Sequence, residues 1–208
     1  MTGLLTLVQW MSPAFPVGSF AYSHGLEQAV AADEVTTSAA LADWLGDVLT
    51  LGAGRADAIL LASALRGEDA TALAATARAL AASRERWDET IAQGRAFAEA
   101  ASATGTPVDA LPFPVAVGVA ARTLGLPAEQ VIGVYLHAFA SNLVSAAVRF
   151  VPLGQAEGQR VLAGLHPAIT AVAADAAAQG VEDIASFVPR GDLAAMRHET
   201  MDVRIFRT

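Results

Sequence analysis

Cysteine and lysine are both absent from the 208-residue chain, and each absence removes a class of chemistry. Without cysteine there is no disulfide, no thiolate nucleophile and no thiolate metal ligand, a composition that fits a reducing compartment. Without lysine there is neither a Walker A lysine nor a Schiff-base amine, so the chain is not itself a P-loop nucleotide hydrolase. A basic stripe is missing too. The net charge is −8 and the isoelectric point 4.9, which argues against nucleic acid and against acidic membrane surfaces as partners. Nor is there a clean apolar span of about 18 to 20 residues. The apolar run from Met1 to Met11 has no basic segment before it and meets Pro13 and Pro16, so it reads as mature protein rather than a signal peptide. Of two later apolar stretches, Arg122 breaks one, and His137, Asn142 and Arg149 break the other. A cytoplasmic protein with no membrane contact is the expectation.

Hydrophobic residues make up 54% of the chain, much of that alanine, while aromatics reach only 6%, so composition favours helix over strand. The expected fold is all-α, one domain over residues 1–208, a bundle of roughly ten helices with short loops. Leu4, Leu5, Leu7 and Val8 suggest a short buried element, followed by a loop at Ser12–Ser19. Thr37 or Ser38 should cap a helix carrying Leu41, Trp44, Leu45, Val48 and Leu49 on one face. Further helices are predicted over Arg55–Arg66, from the Asp69 cap to Ala82, over Arg84–Ala103, Pro114–Leu124, Ala128–Val151 and Gly154–Gly164, and from Pro167 to Gly180. In Arg84–Ala103, Trp87 and Ile91 mark the expected inner face, with Arg84–Asp88 and Arg95–Glu99 as i,i+4 pairs.

Polar groups inside the apolar segments are the candidates for function. His137, Ser141, Ser145 and Arg149 recur every four residues and form one polar stripe on the central helix, with Asn142 beside it. They read either as a wet channel or partner contact, or as a solvent-facing or hydrogen-bonded seam between helices. No two of the four histidines, His24, His137, His166 and His198, stand at the spacing of a helical metal site. The nearest approach, His24 with Glu27, has Gly25 between and reads as a cap or surface pair, so no intrachain metal site is expected. Gly-x-Ser-x-Gly is absent, and Ser19 and Ser23 read as turn hydroxyls, which leaves an enzyme reading without support. The tail of about residues 190–208 mixes Arg190, Arg197, Arg204 and Arg207 with Met196, Met201, Val203, Ile205 and Phe206. Such a mixture suits either docking in a partner's groove or packing on its own domain.

Ser12-Pro13-Ala14-Phe15-Pro16-Val17-Gly18-Ser19-Phe20 and Ser23-His24-Gly25-Leu26-Glu27 together resemble the N-terminal signature of the UreF family. Val151-Pro152-Leu153-Gly154-Gln155 with Gly158-Gln159 is similar to that family's turn after its central helix. Met196-Arg197-His198-Glu199 and Arg204-Ile205-Phe206-Arg207-Thr208 are similar to its C-terminal motifs, with Ile205 where leucine is usual. The resemblance implies an all-α homodimer that acts as an adaptor in urease maturation and catalyses nothing itself. It also implies a complex with UreD (UreH) that recruits the GTPase UreG to apo-urease for GTP-dependent nickel insertion. No cofactor is held tightly, and nickel is handled transiently by the assembly. Carried over by motif, the partner-binding positions are Phe20, Tyr22, His24, Arg197, His198, Glu199, Arg204 and Phe206. Arg204 is expected to satisfy backbone carbonyls near Phe20. Two alternatives remain at this level: an arginine finger that activates the GTPase, and a nickel conduit along the His137, Ser141, Ser145 and Arg149 stripe.

Overall fold

Alanine-rich segments punctuated by glycine and proline fold here as eleven α-helices and three short 3-10 turns, with no strand, in a computed structural model that describes residues 1–208. The helices are α1 (Thr2–Trp10), α2 (Leu26–Ala31), α3 (Ser38–Thr50), α4 (Ala53–Arg66), α5 (Ala70–Leu80), α6 (Arg84–Ala103), α7 (Phe113–Ala121), α8 (Ala128–Ala147), α9 (Gln155–Gly164), α10 (His166–Ala178) and α11 (Pro189–His198). Side-chain caps start three of them: Thr37 accepts from the Ala40 N–H, Asp69 from Thr71 and Ser83 from Arg86. Each such cap contributes about 1 kcal/mol. The predicted extension of α8 to Val151 does not occur. The N–H groups of Arg149, Phe150 and Val151 close turns onto Ala146 and Ala147, because Pro152 disfavours helix in the residue before it.

One cluster of 39 buried hydrophobic residues draws on every helix except α5. α4, α7, α8 and α10 form its centre, and α5 packs outside through Leu73 and Ala77 against Leu60 and Val115. Where α4 meets α7 the backbones come close enough that a Cβ on Gly118 would lie 2.5 Å from the Leu61 carbonyl oxygen and 2.7 Å from the Ala64 Cβ. Gly118→Ala is therefore expected to destabilise by about 1–3 kcal/mol through overpacking, read as a lower urea midpoint with unchanged slope. An unshifted midpoint would mean that the two helices separate freely.

α1 is less buried than its leucines suggest, with Leu7 and Trp10 inside and Leu5 and Val8 exposed. α6 departs further from its pattern. Its buried positions include Glu89, Thr90, Gln93 and Phe97, while Trp87 and Ile91 are only partly covered. Arg84 and Asp88 pair on the surface at 3.7 Å, but Arg95 and Glu99 form no ion pair. Two apolar stretches, Ser38–Arg66 and Gln155–Ala178, reach membrane-spanning length only as sums of two helices, broken at Leu51–Gly52 and at Leu165. Both pack within the bundle, through Leu45, Val48, Ile59 and Leu61 in the first and Val161, Ile169 and Val172 in the second.

Candidate functional site

The loop before α2 is built to turn sharply and aim polar groups inward. Gly18 has φ 73°, and two consecutive residues, His24 and Gly25, also take positive values of 54° and 75°. Glycine is required at position 25 for a second reason, since a Cβ there would sit 2.6 Å from the backbone nitrogen of Ala195 in α11. This turn points Ser23 and His24 into the protein and starts α2, whose first turn carries Glu27, only 6% exposed.

The C-terminal residues close onto that loop. The Thr208 carbonyl accepts from the Ser23 N–H at 2.8 Å and from the Ser23 hydroxyl, and the Arg207 N–H donates to the Ala21 carbonyl at 2.8 Å. Glu27 spreads its carboxylate across the backbone N–H groups of Ile205 (2.8 Å) and Phe206 (2.9 Å). His198, fully buried, stands between two carboxylates, with Nε2 3.1 Å from Glu27 and Nδ1 2.7 Å from Glu85. Carboxylates only accept, so both bonds form together when the ring carries both protons. Arg204 pairs with the other oxygen of Glu85. Glu199 accepts from the N–H groups of Arg84 (2.7 Å) and Glu85 (3.3 Å), placing negative charge at the N-terminus of α6. These contacts form a clasp that joins the two ends of the chain.

A second polar layer lies beneath. Glu89, 2% exposed, meets His24 Nε2 at 2.9 Å, accepts from Gln93 at 3.0 Å and from the Thr208 hydroxyl at 3.2 Å, and has Arg86 3.8 Å away. Arg86 pairs with Asp57 at 2.7 Å, and the Tyr135 hydroxyl donates to the same Asp57 oxygen at 2.9 Å. Burial opposes charge on Arg86, but Asp57 and Glu89 outweigh it and hold the guanidinium charged well beyond its ordinary range. Burial and Asp57 push the Tyr135 phenol up. For Glu89 burial works against ionisation, yet His24, Arg86 and the donated bonds prevail and lower its pKa.

A carboxylate lowered in the folded state stabilises the protein above its unfolded pKa and loses that contribution as pH falls through the folded value. The stability lost by Glu89→Gln should therefore be largest near neutral pH and shrink from about pH 5 to about pH 2. Urea midpoints of the two proteins across that range provide the check, and a constant gap would mean that Glu89 carries no charge-dependent role.

A cleft of about 810 Å³ opens above this layer, with His24, Asp57, Arg86 and Glu89 among its walls. His137, Ser141 and Ser145 of α8 and Arg149, in the turn just beyond it, all line it, and none of their side chains hydrogen-bonds within the chain. Asn142 does bond, donating to the Ser19 (2.8 Å) and Tyr22 (3.3 Å) carbonyls. Arg149 lies over the Phe206 ring at 5.7 Å. Partial burial and the nearby His166 lower the His137 pKa. A second, smaller cleft shares His24, Asp57 and Arg86 with the first.

The positions carried over by motif divide by depth. Phe20 is 65% exposed, and Arg197, Glu199 and Arg204 also face solvent, whereas Tyr22, His198 and Phe206 are buried and His24 is largely enclosed. Arg204 does not reach backbone carbonyls near Phe20. Those of Ser19 and Tyr22 are taken by Asn142 and that of Ala21 by the Arg207 N–H, which leaves Arg204 to Glu85. Sequence reasoning missed Asp57, Glu85, Glu89 and Tyr135 as members of the site. Arg86 and Glu89 at i,i+3 on one helix were the available signal.

A family model described as UreF matches residues 35–166. The chain is 61% identical over 206 residues to a protein of Cereibacter sphaeroides named urease accessory protein UreF, covering 99% of this chain and 98% of that one. Proteins of the same name in Paracoccus denitrificans and Dinoroseobacter shibae are 53% and 49% identical, covering 98% of this chain in each case and 95% and 98% of their own lengths.

Proposed function

The chain belongs to the UreF family of urease accessory proteins, and from that premise we propose that it is a non-catalytic adaptor which, with UreD (UreH), recruits the GTPase UreG to apo-urease for GTP-dependent nickel insertion. In this reading it works as a homodimer. The observation that carries the reading is the clasp. It holds two distant segments in one ordered surface that leaves Phe20 (65%), Val203 (79%) and Ile205 (71%) exposed. Exposed apolar side chains held on a fixed scaffold favour a protein partner. Phe20, Arg197, Glu199 and Arg204 would touch it directly. Tyr22, His24, His198 and Phe206 would shape the surface from below.

The test is size-exclusion chromatography with light scattering on the protein mixed with UreD and UreG. Wild type should co-elute, and Ile205→Asp and Phe20→Asp should weaken the complex about tenfold or more while leaving the thermal midpoint unchanged. Point variants are more informative than truncation before Met196, which also removes His198 and opens the clasp. Wild type eluting alone beside well-folded partners would overturn the adaptor reading. Variants that bind like wild type would place the contact elsewhere.

The unbonded polar wall of the cleft supports a second reading, in which nickel passes along His137, Ser141 and Ser145. Filling the cleft with Ser145→Phe should then lower urease activation while the complex still assembles. Full activation by that variant would remove this reading.

A further inference from the structure

Only two of the four histidine rings leave both nitrogens free. His24 is engaged by Glu89, and His198 by Glu27 and Glu85, while neither His137 nor His166 hydrogen-bonds through its ring. Those two are neighbours, with ring centres 5.5 Å apart and planes inclined at 46°.

Their proximity is set by the fold. His137 lies in the middle of α8, and His166 is the first residue of α10. Gly133, one turn before His137, faces Ala173 of α10, so that a Cβ there would be 4.0 Å from the Ala173 Cβ. Stepping forward from Gly133 to His137 on α8 corresponds to stepping back from Ala173 to His166 on α10, so the two helices run antiparallel. The small residues bring the helices together, and the rings meet at the end of the contact, where His137 lines the large cleft.

We propose that His137 and His166 form a two-imidazole site for a first-row divalent transition-metal cation of the nickel, copper or zinc class. A metal–nitrogen bond of about 2.0–2.1 Å puts the ion about 3 Å from each ring centre, so rings up to about 6 Å apart can share one ion. Imidazole is a borderline ligand that selects these cations over magnesium and calcium, which prefer oxygen. No third histidine or carboxylate joins the pair. The remaining coordination positions are therefore left to water, and the site holds its ion weakly and exchangeably. The inference needs only the two rings and not the adaptor reading, and its test uses the isolated chain, so either can fail without the other.

The experiment is a calorimetric titration of the untagged full-length protein with nickel(II), zinc(II), copper(II) and magnesium(II), paired with side-chain NMR of the histidines during the zinc(II) titration. One ion per chain should bind, copper most tightly and magnesium not at all. His137→Ala and His166→Ala should each weaken binding at least about tenfold. Both rings are exposed, so neither change should move the thermal midpoint, and His166→Gln provides a second variant at that position. The NMR signals of His137 and His166 should shift together while those of His24 and His198 stay in place. Unchanged affinity in either alanine variant, or zinc-dependent shifts confined to His24 or His198, would overturn the proposal.

Discussion

Arg86→Ala is expected to lower the stability of the protein by about 3–5 kcal/mol, the range for breaking a buried ion pair by removing one partner. Arg86 pairs with Asp57 and stands near Glu89, and all three lie in the enclosed layer beneath the clasp. Once the guanidinium is gone, two buried carboxylates lose their cation, and Asp57 keeps only the Tyr135 hydroxyl. In a protein of this size the loss corresponds to a drop in thermal midpoint of about 6–20 °C. Replacing the pair by apolar groups of similar volume, Arg86→Met with Asp57→Leu, should recover part of the loss. The cost of the pair lies in desolvating charge, and an uncompensated charge is worse than none. The double variant should therefore be more stable than the sum of the single changes by about 1 kcal/mol or more. Additive effects would mean that the two side chains stabilise the protein independently.

Glu27→Ala should cost about 3 kcal/mol or more and release the C-terminal segment. One carboxylate accepts from two backbone N–H groups and meets one ring nitrogen of the fully buried His198, and its loss orphans both N–H donors and strips that nitrogen of its partner at once. Because the chain has no lysine, trypsin can cut only at arginine, and Arg197, Arg204 and Arg207 lie in or beside the segment in question. Limited trypsin digestion followed by intact mass should show these sites cleaved early in Glu27→Ala and late in wild type. Glu27→Gln should fall between, since it keeps the shape and one acceptor oxygen but turns an amide donor toward an N–H. If digestion of the alanine variant matched wild type, the remaining contacts, chiefly Ser23–Thr208, Ala21–Arg207, Arg204–Glu85 and Thr208–Glu89, would suffice to hold the segment.

The two motifs that carry the family resemblance acquire a physical meaning only when read against each other. In Ser23-His24-Gly25-Leu26-Glu27, the serine holds Thr208, the histidine reaches Glu89, the glycine passes under α11, the leucine enters the core and the glutamate binds the tail. In the tail, His198, Arg204 and Thr208 each answer a carboxylate from α2 or α6. Their pairing across 113 to 171 positions has no periodicity through which sequence could announce it. The same limit hid the inner face of α6. Its glutamate and glutamine look like solvent-facing residues until His24 and Thr208 from the two chain ends close over them, whereas Trp87 looks like core but packs only at the edge of a satellite cluster.

By itself the sequence determined the helical class, most helix starts and stops and the inner face of α3. These are local consequences of alanine content, capping side chains, glycine and proline positions and 3.6-residue apolar spacing. It also placed His137, Ser141 and Ser145 on one face of α8, because that too is set within a single helix, whereas Arg149, expected to continue the stripe, falls in the turn after the helix ends at Ala147. Only the tertiary structure decided that this face would look onto an open cleft, that His137 would meet His166, and that Glu27, Glu85 and Glu89 would be buried with cations and backbone donors rather than left in water. The reason is energetic: a charged side chain goes inside only when partners from other elements replace its hydration, and those partners exist only once the helices have packed.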